Sequence, residues 1–243
     1  MIQSLTNILG DPAPISYQVP GYKTGYPSLD DSLGGISTSD LVLLASKPGN
    51  WGSNIMLNLA IGLSRRYRVL LIHTTKKSAV VAGELRSVLL PEDGTLKNDE
   101  QLLDELNRLA ANIFIEDGVC FLEEIDQSIA SFHLHYGEDA VILIDELNSI
   151  FLSKEIRSYS RGLEERDIAV NLKMLTMKYH LPVLLLGRIK SYEPALEKDP
   201  PTIQDLEQLM GLNCPFNKII GLHRPEYYRI ETDEKGASTV KGW

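Results

Sequence analysis

Six short apolar runs recur along the chain, and each is apolar at consecutive positions rather than at alternate ones. They are rich in Val, Ile and Leu, which is typical of strands buried on both faces of a sheet. The predicted strands cover residues 41–45, 69–72, 112–115, 140–144, 182–186 and 218–222. Most of the segments between them have the periodicity of helices, which we predict over residues 54–66, 78–90, 99–110, 122–136 and 161–180.

Strands and helices alternate along most of the chain. This order predicts the α/β class, with a doubly wound, mostly parallel sheet and helices on both faces. Ligands of such sheets bind at the carboxyl ends of the strands. Residues 1–22 contain three prolines and scattered glycine, and we predict an N-terminal arm or linker there. Residues 23–243 then form one domain.

The stretch "LVLLASKPGNWGSNIMLNLA", residues 41–60, reads as a strand, a Pro/Gly loop and a helix. That is the architecture of a phosphate-binding loop. Such a loop needs backbone N–H groups at tight turns, a lysine for the phosphates and a Ser or Thr hydroxyl for Mg²⁺. Ser53 supplies the hydroxyl, and Gly49 and Gly52 partly supply the turns. The residue directly before Ser53 is Gly52 instead of a lysine, and Trp51 places a large ring where a glycine is expected.

The candidate site is therefore a degenerate nucleotide site without an assigned catalytic residue. Its predicted members are Lys47, Pro48, Gly49, Asn50, Trp51, Gly52, Ser53 and Arg188. Lys47 precedes the proline on the far side of the loop, and we expect it to be solvated unless it swings in. Asp145 ends the apolar run "AVILID", where Walker-B-type chains keep a Mg²⁺-organising carboxylate; the alternative is a helix-capping Asp. ATP and Mg²⁺ are the cofactors to expect, if any bind.

Several further motifs agree with one family. "TGYPSLDDSLGGIS", "LASKPGNWGSNIMLNLA", "VILIDELNSI", "QDLEQLMG" and "HRPEYYRIETDEKG" follow one another from Thr24 onward. In order and spacing they resemble the RecA-like motor domain of bacterial replicative helicases of the DnaB type. The resemblance implies a RecA-like P-loop fold. It also implies that the family's N-terminal collar domain is missing, with only the short arm before the motor domain.

The chain departs from that family at functional positions. The family's loop is similar to A-R-P-S-M-G-K-T, and Gly52 stands where it has lysine. Lys76 replaces the glutamate that activates the attacking water, a task that a protonated amine cannot perform. Arg188 stands where a glutamine senses the γ-phosphate, so it could contact a phosphate or a carboxylate, or be simply exposed. In the DNA-facing loop, Glu207 replaces an arginine and Met210 a glycine. We also expect the chain to stop before the strand that carries the family's arginine finger.

These departures favour a catalytically inactive, helicase-like protein that acts by protein–protein binding in DNA replication or on a mobile element. Its partner would be another copy or a genuine helicase, through a RecA-type interface that includes the charged segment 161–167. One alternative is a divergent ATPase or DNA helicase that uses Lys47, Ser53, Asp145 and Arg188. Another is a nucleotide or single-stranded nucleic-acid binding module without turnover, in which Trp51 stacks on bases.

Composition adds three expectations. A net charge of −9 makes DNA a possible but weak partner, because Lys and Arg supply most affinity for phosphates. The sequence contains no apolar run of the roughly 18 residues that a membrane span needs, so no membrane partner is expected. Two distant cysteines without metal-type spacing fit reduced thiols in a cytoplasmic protein.

Overall fold

The structure is a computed structural model that describes residues 21–89, 104, 107–153, 160–190, 199–210, 214–225, 230–232 and 238–240. The strands within these residues are β1 Leu41–Ser46, β2 Arg68–His73, β3 Ile113–Asp117, β4 Ala140–Asp145, β5 Val183–Arg188, β6 Lys218–Leu222, β7 Ile230–Thr232 and β8 Ser238–Val240. The α-helices are α1 Pro27–Leu33, α2 Gly52–Ser64, α3 Ser78–Leu89, α4 Leu122–Tyr136, α5 Arg161–Tyr179 and α6 Ile203–Met210. A short 3₁₀ turn, Leu147–Ser149, follows β4.

A parallel sheet forms the centre of the described part of the chain, with the strand order β3-β2-β4-β5-β1-β6. Because the strands are parallel, their carboxyl ends meet along one edge of the sheet. In register, Ser46 of β1 lies beside Arg188 of β5, and His73 of β2 lies beside Asp145 of β4. This edge therefore collects the polar residues that end four neighbouring strands.

Helices cover both faces of the sheet. Consecutive strand residues point to opposite faces, so an all-apolar strand contributes to two cores. In β1, Leu41 and Leu43 pack in the core shared with α4 and α5. Val42 and Leu44 pack in the core shared with α2 and α3. The predicted mostly parallel sheet with helices on both faces is confirmed.

The predicted elements agree closely with the structure. All six predicted strands are present, and α2 to α5 match four of the predicted helices, with bounds that differ by at most two residues. The predicted helix 99–110 lies largely outside the described residues. The helices α1 and α6 are not among the predicted ones. α1 begins at Pro27, whose fixed φ suits a first helical turn, and ends at Gly34 in a left-handed conformation, φ 66°.

Three details concern the ends of the chain and its membrane character. Tyr22, at the end of the predicted arm, is buried and pairs with Ile36 in an antiparallel bridge; residues 1–20 lie outside the described part. A short strand, β8, follows the "TDEKG" segment and pairs with β7. Its residues, Ser238–Val240, include no Lys-x-Arg pair, so the expectation about the arginine-finger strand stays a prediction. Among the described helices, none has the length and apolarity of a membrane span.

Candidate nucleotide site

The loop between β1 and α2 lies at the carboxyl edge of the sheet, where ligands of such sheets bind. It forms one wall of a cleft of about 300 Å³. The cleft is lined by residues 46–54 together with Lys76, Leu186 and Arg188. The structure thus brings the predicted loop residues and Arg188 together. Asp145 does not line this cleft.

The loop turns through two left-handed residues. Gly49 has φ 82°, which a glycine adopts without steric penalty. Trp51 has φ 57° and directly precedes α2. A left-handed conformation costs a residue with a Cβ atom about 1–2 kcal/mol. Trp51 therefore occupies a position whose backbone suits glycine, as the comparison with the family's loop predicts.

Contacts with Arg224, which follows β6, stabilise this strained turn. The Asn50 side chain donates to the Lys47 carbonyl (3.2 Å) and accepts from the backbone N–H of Arg224 (2.7 Å). The Arg224 guanidinium lies 3.7 Å from the centre of the Trp51 ring, within the range of a cation–π contact. The Trp51 side chain remains about half exposed. Both loop residues are thus engaged by the protein itself.

The position of the missing lysine is crowded. A Cβ atom on Gly52 would lie 2.7 Å from Leu186 Cδ1 and 3.1 Å from Cβ and Oγ of Ser46. The first distance is well inside van der Waals contact. A side chain at position 52 would therefore require the end of the Leu186 side chain, which also lines the cleft, to shift.

Lys47 is buried, so the prediction of a solvated side chain is wrong. Its side chain has 0% exposure, and Nζ lies 3.2 Å from Asp205 Oδ2 and 3.4 Å from the Pro200 carbonyl oxygen. Asp205 lies in the first turn of α6 and also accepts hydrogen bonds from the backbone N–H and hydroxyl of Thr202. A buried ammonium needs a partner of opposite charge, which a helix distant in sequence supplies. The pair ties the loop to α6.

Lys76 lines the cleft. The resemblance predicts that it stands at the position of the family's catalytic glutamate. Its ammonium lies 2.7 and 2.8 Å from the two carboxylate oxygens of Glu84 on α3. The side chains of both residues are about one third exposed. A cation held by a carboxylate cannot accept a proton from an attacking water.

Asp145 is almost fully buried and faces His73, a residue that the sequence analysis did not single out. His73 Nδ1 accepts from the backbone N–H groups of Lys76 (3.2 Å) and Thr75 (3.4 Å), so in the neutral ring Nε2 carries the proton. Nε2 lies 3.4 Å from Asp145 Oδ2. Burial lowers the pKa of His73 against the opposing field of Asp145. The sequence signal that could have identified His73 is its position at the end of β2, the strand that pairs with β4.

Asp145 Oδ2 and His73 Nε2 are both buried, and neither forms a hydrogen bond within the described part of the chain. The predicted role of Asp145 in metal binding stays a prediction.

Arg188 forms an ion pair within its own chain. Its Nε lies 2.5 Å from Glu146 Oε2, while its backbone N–H donates to Asn148 Oδ1 (2.7 Å). Burial raises the pKa of Glu146, and the guanidinium opposes that shift. The Arg188 side chain is still 61% exposed and borders the cleft. The sequence left open whether Arg188 contacts a phosphate, contacts a carboxylate or is simply exposed. In the structure it contacts a carboxylate, that of Glu146 in the same chain.

Two segments predicted to face partners are partly used for internal packing. The DNA-facing "QDLEQLMG" segment forms most of α6, whose Leu206 and Met210 pack on the core while Glu207 is exposed. In segment 161–167, Arg161 donates to the Ile150 carbonyl (2.6 Å) and pairs with Glu164 and Glu165. Arg166 and Asp167, in the same segment, have side chains that are 38% and 37% exposed.

Comparison with known proteins agrees with this fold. The chain is 22% identical over 236 residues to "Replicative DNA helicase DnaB" of Haemophilus influenzae, which covers 91% of this chain and 50% of the relative. It is 24% identical to the protein of the same name from Buchnera aphidicola, with the same coverage. The chain thus spans about half the length of these relatives.

Solved structures show the same architecture. One of them, described as an ATPase domain, superposes with a TM-score of 0.73 at 18% identity, covering 92% of this chain and 83% of that one. A structure described as a DnaB-like replicative helicase and its interactions with primase superposes with a TM-score of 0.66 at 17% identity, covering 86% and 54%. The model of the family "DnaB-like helicase C terminal domain" matches residues 21–241. The chain therefore belongs to the DnaB-like helicase C-terminal domain family.

Proposed function

We propose that this protein is a helicase-derived RecA-fold protein that does not hydrolyse ATP and acts by binding other proteins. The observation that carries the proposal is the crowded lysine position, where a Cβ atom on Gly52 would meet Leu186 Cδ1 at 2.7 Å. A lysine introduced at this position would have to displace the end of the Leu186 side chain. A phosphate-binding loop without its lysine loses the charge that reaches the β- and γ-phosphates.

Two further contacts support the absence of turnover. Lys76 takes the place of the general base and is paired with Glu84. Asp145, the candidate metal residue, is in contact with His73 instead of the cleft. Effects within one catalytic unit are not additive, so these losses do not multiply. Each of them removes a different requirement of hydrolysis, however, and no single neighbour replaces all three.

The partner that we propose is either a second copy or a DnaB-type helicase, bound through a RecA-type interface. Membership of the family supports this choice, since the domain keeps the fold while its cleft loses the catalytic groups. A setting in cytoplasmic DNA replication, or on a mobile element, belongs to the same proposal. DNA itself is a weaker candidate because Glu207 presents a carboxylate at the surface of α6.

The cleft favours one alternative, nucleotide binding without hydrolysis. Its volume of about 300 Å³ is at the lower limit of small-molecule sites, and Lys76 and Arg188 border it. In this alternative the two cations hold phosphates after releasing Glu84 and Glu146. A divergent ATPase would need the same rearrangement and a general base as well.

One set of measurements separates these functions. Mg-ATP is titrated into the protein while Trp51 fluorescence and the melting temperature are followed, with Trp51→Phe as the fluorescence control. ATP turnover is measured for the wild type, Gly52→Lys, Lys76→Glu and the double variant. We expect no saturable signal at millimolar nucleotide and no turnover in the wild type or in either single variant. Steady-state turnover by the wild type or by Gly52→Lys would overturn the proposal. Saturable binding without turnover would support the alternative. In that case, loss of the nucleotide-induced thermal shift in Asp145→Asn would place metal at this carboxylate.

Partner binding is tested separately by sedimentation of the protein alone and mixed with a purified DnaB-type helicase. A complex that forms in the absence of nucleotide supports the proposal. A monomer that ignores the helicase over the full concentration range contradicts it.

A further inference from the structure

A strip of exposed, uncharged side chains runs along α2 beside the nucleotide cleft. Trp51, Ile55 and Tyr26 are exposed by 56%, 37% and 41%. Ile55 follows Trp51 by one helical turn and donates its backbone N–H to the Trp51 carbonyl (3.0 Å). Asn58 lies one further turn along the same face, and its Oδ1 is 3.4 Å from the Tyr26 hydroxyl. These four residues form one continuous surface, which we call the α2 strip.

The α2 strip has the composition of the centre of a protein interface. The 13 residues of α2 include no Asp, Glu, Lys or Arg, whereas the surfaces of soluble domains normally mix charges of both signs. The centres of protein interfaces are depleted in charged residues and enriched in Tyr, Trp and Arg. Tyr and Trp belong to the strip, and Arg224 borders it. The strip is therefore suited to being covered by another protein.

Trp51 is fixed in an orientation that the fold itself does not require. Its left-handed backbone, φ 57°, is unfavourable for a residue with a Cβ atom, and the ring is not buried enough to offset this strain. Residues held in such conformations cluster at functional sites. The Arg224 guanidinium lies 3.7 Å from the centre of the ring, and the Arg224 backbone is bonded to Asn50. A tryptophan fixed in this way has the properties of an interface anchor.

Arg224 adds an available positive charge to one end of the strip. Within the part of the chain that the structure describes, its guanidinium forms no hydrogen bond or ion pair. A guanidinium carries five N–H donors in a fork that matches a carboxylate or a phosphate. The cations at the adjoining cleft, Lys76 and Arg188, are paired with Glu84 and Glu146. The charge that remains for a partner is that of Arg224.

The opposite end of the strip also faces a positive charge. Burial raises the pKa of the Tyr26 hydroxyl, and the field of Arg65 opposes that shift. The strip itself contains no carboxylate. Its charge surroundings therefore favour a partner with an acidic group over a partner with a basic one.

The remaining side chains favour a protein as the source of that acidic group. A nucleic acid gains its affinity from several neutralised phosphates, and the donors of Arg224 serve one. Trp51, Ile55 and Asn58 offer aromatic, aliphatic and amide surface, which matches the side chains of a protein. A second copy bound through the same strip would bring no carboxylate to Arg224, because the strip has none. A different protein surface is the better occupant.

We propose that the α2 strip and Arg224 form a docking surface for a partner protein that places an Asp or Glu carboxylate against the Arg224 guanidinium and an apolar side chain against Trp51 and Ile55. The inference rests on the proposed role in protein binding and specifies the chemistry of the partner. It does not depend on the proposed loss of hydrolysis.

The first test is a selection of phage-displayed random cyclic peptides on the full chain, with counter-selection on the double variant Trp51→Gly/Arg224→Gln. Glycine suits the left-handed backbone at position 51, so we expect the variant to keep its fold, which circular dichroism checks. We expect the selected peptides to carry Asp or Glu next to an apolar residue. Recovery of no peptide, of peptides without an acidic residue, or of peptides that bind the variant equally well would overturn the proposal.

A double-mutant cycle then measures the contact between Arg224 and the carboxylate. The acidic residue of the selected peptide is changed to its amide, and fluorescence anisotropy follows the binding of both peptides. We expect Arg224→Gln to weaken the acidic peptide by about tenfold or more and the amide peptide by less than about twofold. Leu134→Gln is the matched control, because Leu134 is 83% exposed on α4 and lies outside the strip. Equal losses for both peptides, or a loss in the control, would contradict the proposal.

Sedimentation with a purified DnaB-type helicase separates this inference from the proposed function. If the complex forms equally well with Arg224→Gln, the proposed function stands and the strip is rejected as its docking surface. If no complex forms but the cycle shows coupling to the carboxylate, the strip stands and the helicase is rejected as the partner. Self-association that Trp51→Gly abolishes would assign the strip to a second copy and reject a different protein.

Discussion

Replacing Lys47 tests how strongly the loop between β1 and α2 is anchored in the core. The side chains of Lys47 and Asp205 are 0% and 2% exposed, and Nζ lies 3.2 Å from Oδ2. Lys47→Met removes the ammonium and leaves the Asp205 carboxylate buried beside a thioether. Breaking a buried pair in this way costs roughly 3–5 kcal/mol. At about 2–4 °C per kcal/mol for a domain of this size, the melting temperature should fall by roughly 6–20 °C.

The assay is thermal and urea unfolding followed by far-UV circular dichroism. Asp205→Asn should also destabilise the protein, because it removes the carboxylate charge that lies 3.2 Å from the buried ammonium. The double variant Lys47→Met/Asp205→Asn should recover part of the loss, with a coupling of about 1–3 kcal/mol, since neither charge remains. Lys77→Met is the matched control: the Lys77 side chain is 79% exposed and pairs loosely with Asp117 at 3.6 Å. We expect no measurable change in stability from that control.

Two results would refute this reasoning. If Lys47→Met melts within about 2 °C of the wild type, the side chain contributes nothing as a buried charge and the loop is not anchored to α6. If the double variant is as unstable as the sum of the single variants, the two residues do not interact. Either outcome would return Lys47 to the solvated role that the sequence predicts.

Further predictions concern the backbone of the same loop. Gly52→Ala should destabilise the protein by about 1–3 kcal/mol in urea unfolding, because its Cβ would meet Leu186. Gly83→Ala, in the open outer face of α3, should stabilise it by about 0.5–1 kcal/mol, so the two changes differ in sign. Trp51→Gly removes the strain of a left-handed residue, which stabilises the protein by about 1–2 kcal/mol. The same change loses the contact with Arg224, which costs about 0.5–1 kcal/mol. Trp51→Ala loses the contact without the relief, so the alanine variant should be the less stable of the two in the same assay; the reverse order would contradict the strain argument.

Most of the fold could be predicted from the sequence because strands buried on both faces leave an unmistakable pattern. Residues 140–144 and 182–186 are apolar at nearly every position, and both became central strands. The shape of the phosphate loop was equally visible, since a strand, a glycine-containing turn and a helix follow one another directly. Helix α6 was harder: its eight residues, Ile203–Met210, are too few for a clear helical period.

The partners of the charged residues could not be predicted, because they depend on the order of strands and on where helices pack. His73 and Asp145 meet only because β2 lies beside β4, which the apolar pattern does not specify. Lys47 meets Asp205 because α6 lies next to the loop. A lysine beside a proline in a loop is solvated in most proteins, and only the position of an acidic residue elsewhere in the fold changes that outcome.

The contacts around the site share one property that bears on the proposed loss of hydrolysis. The groups that would serve hydrolysis, or that stand in their place, have neighbours inside the chain: Gly52 lies against Leu186, Lys76 pairs with Glu84, and Asp145 faces His73. An unpaired buried charge destabilises a fold. Here Lys76 is paired, while the cleft beside it stays open at about 300 Å³ and the facing atoms of His73 and Asp145 form no hydrogen bond. Restoring one residue would therefore break a favourable contact before it created a catalytic one, which is why we expect single reversions such as Gly52→Lys and Lys76→Glu to fail.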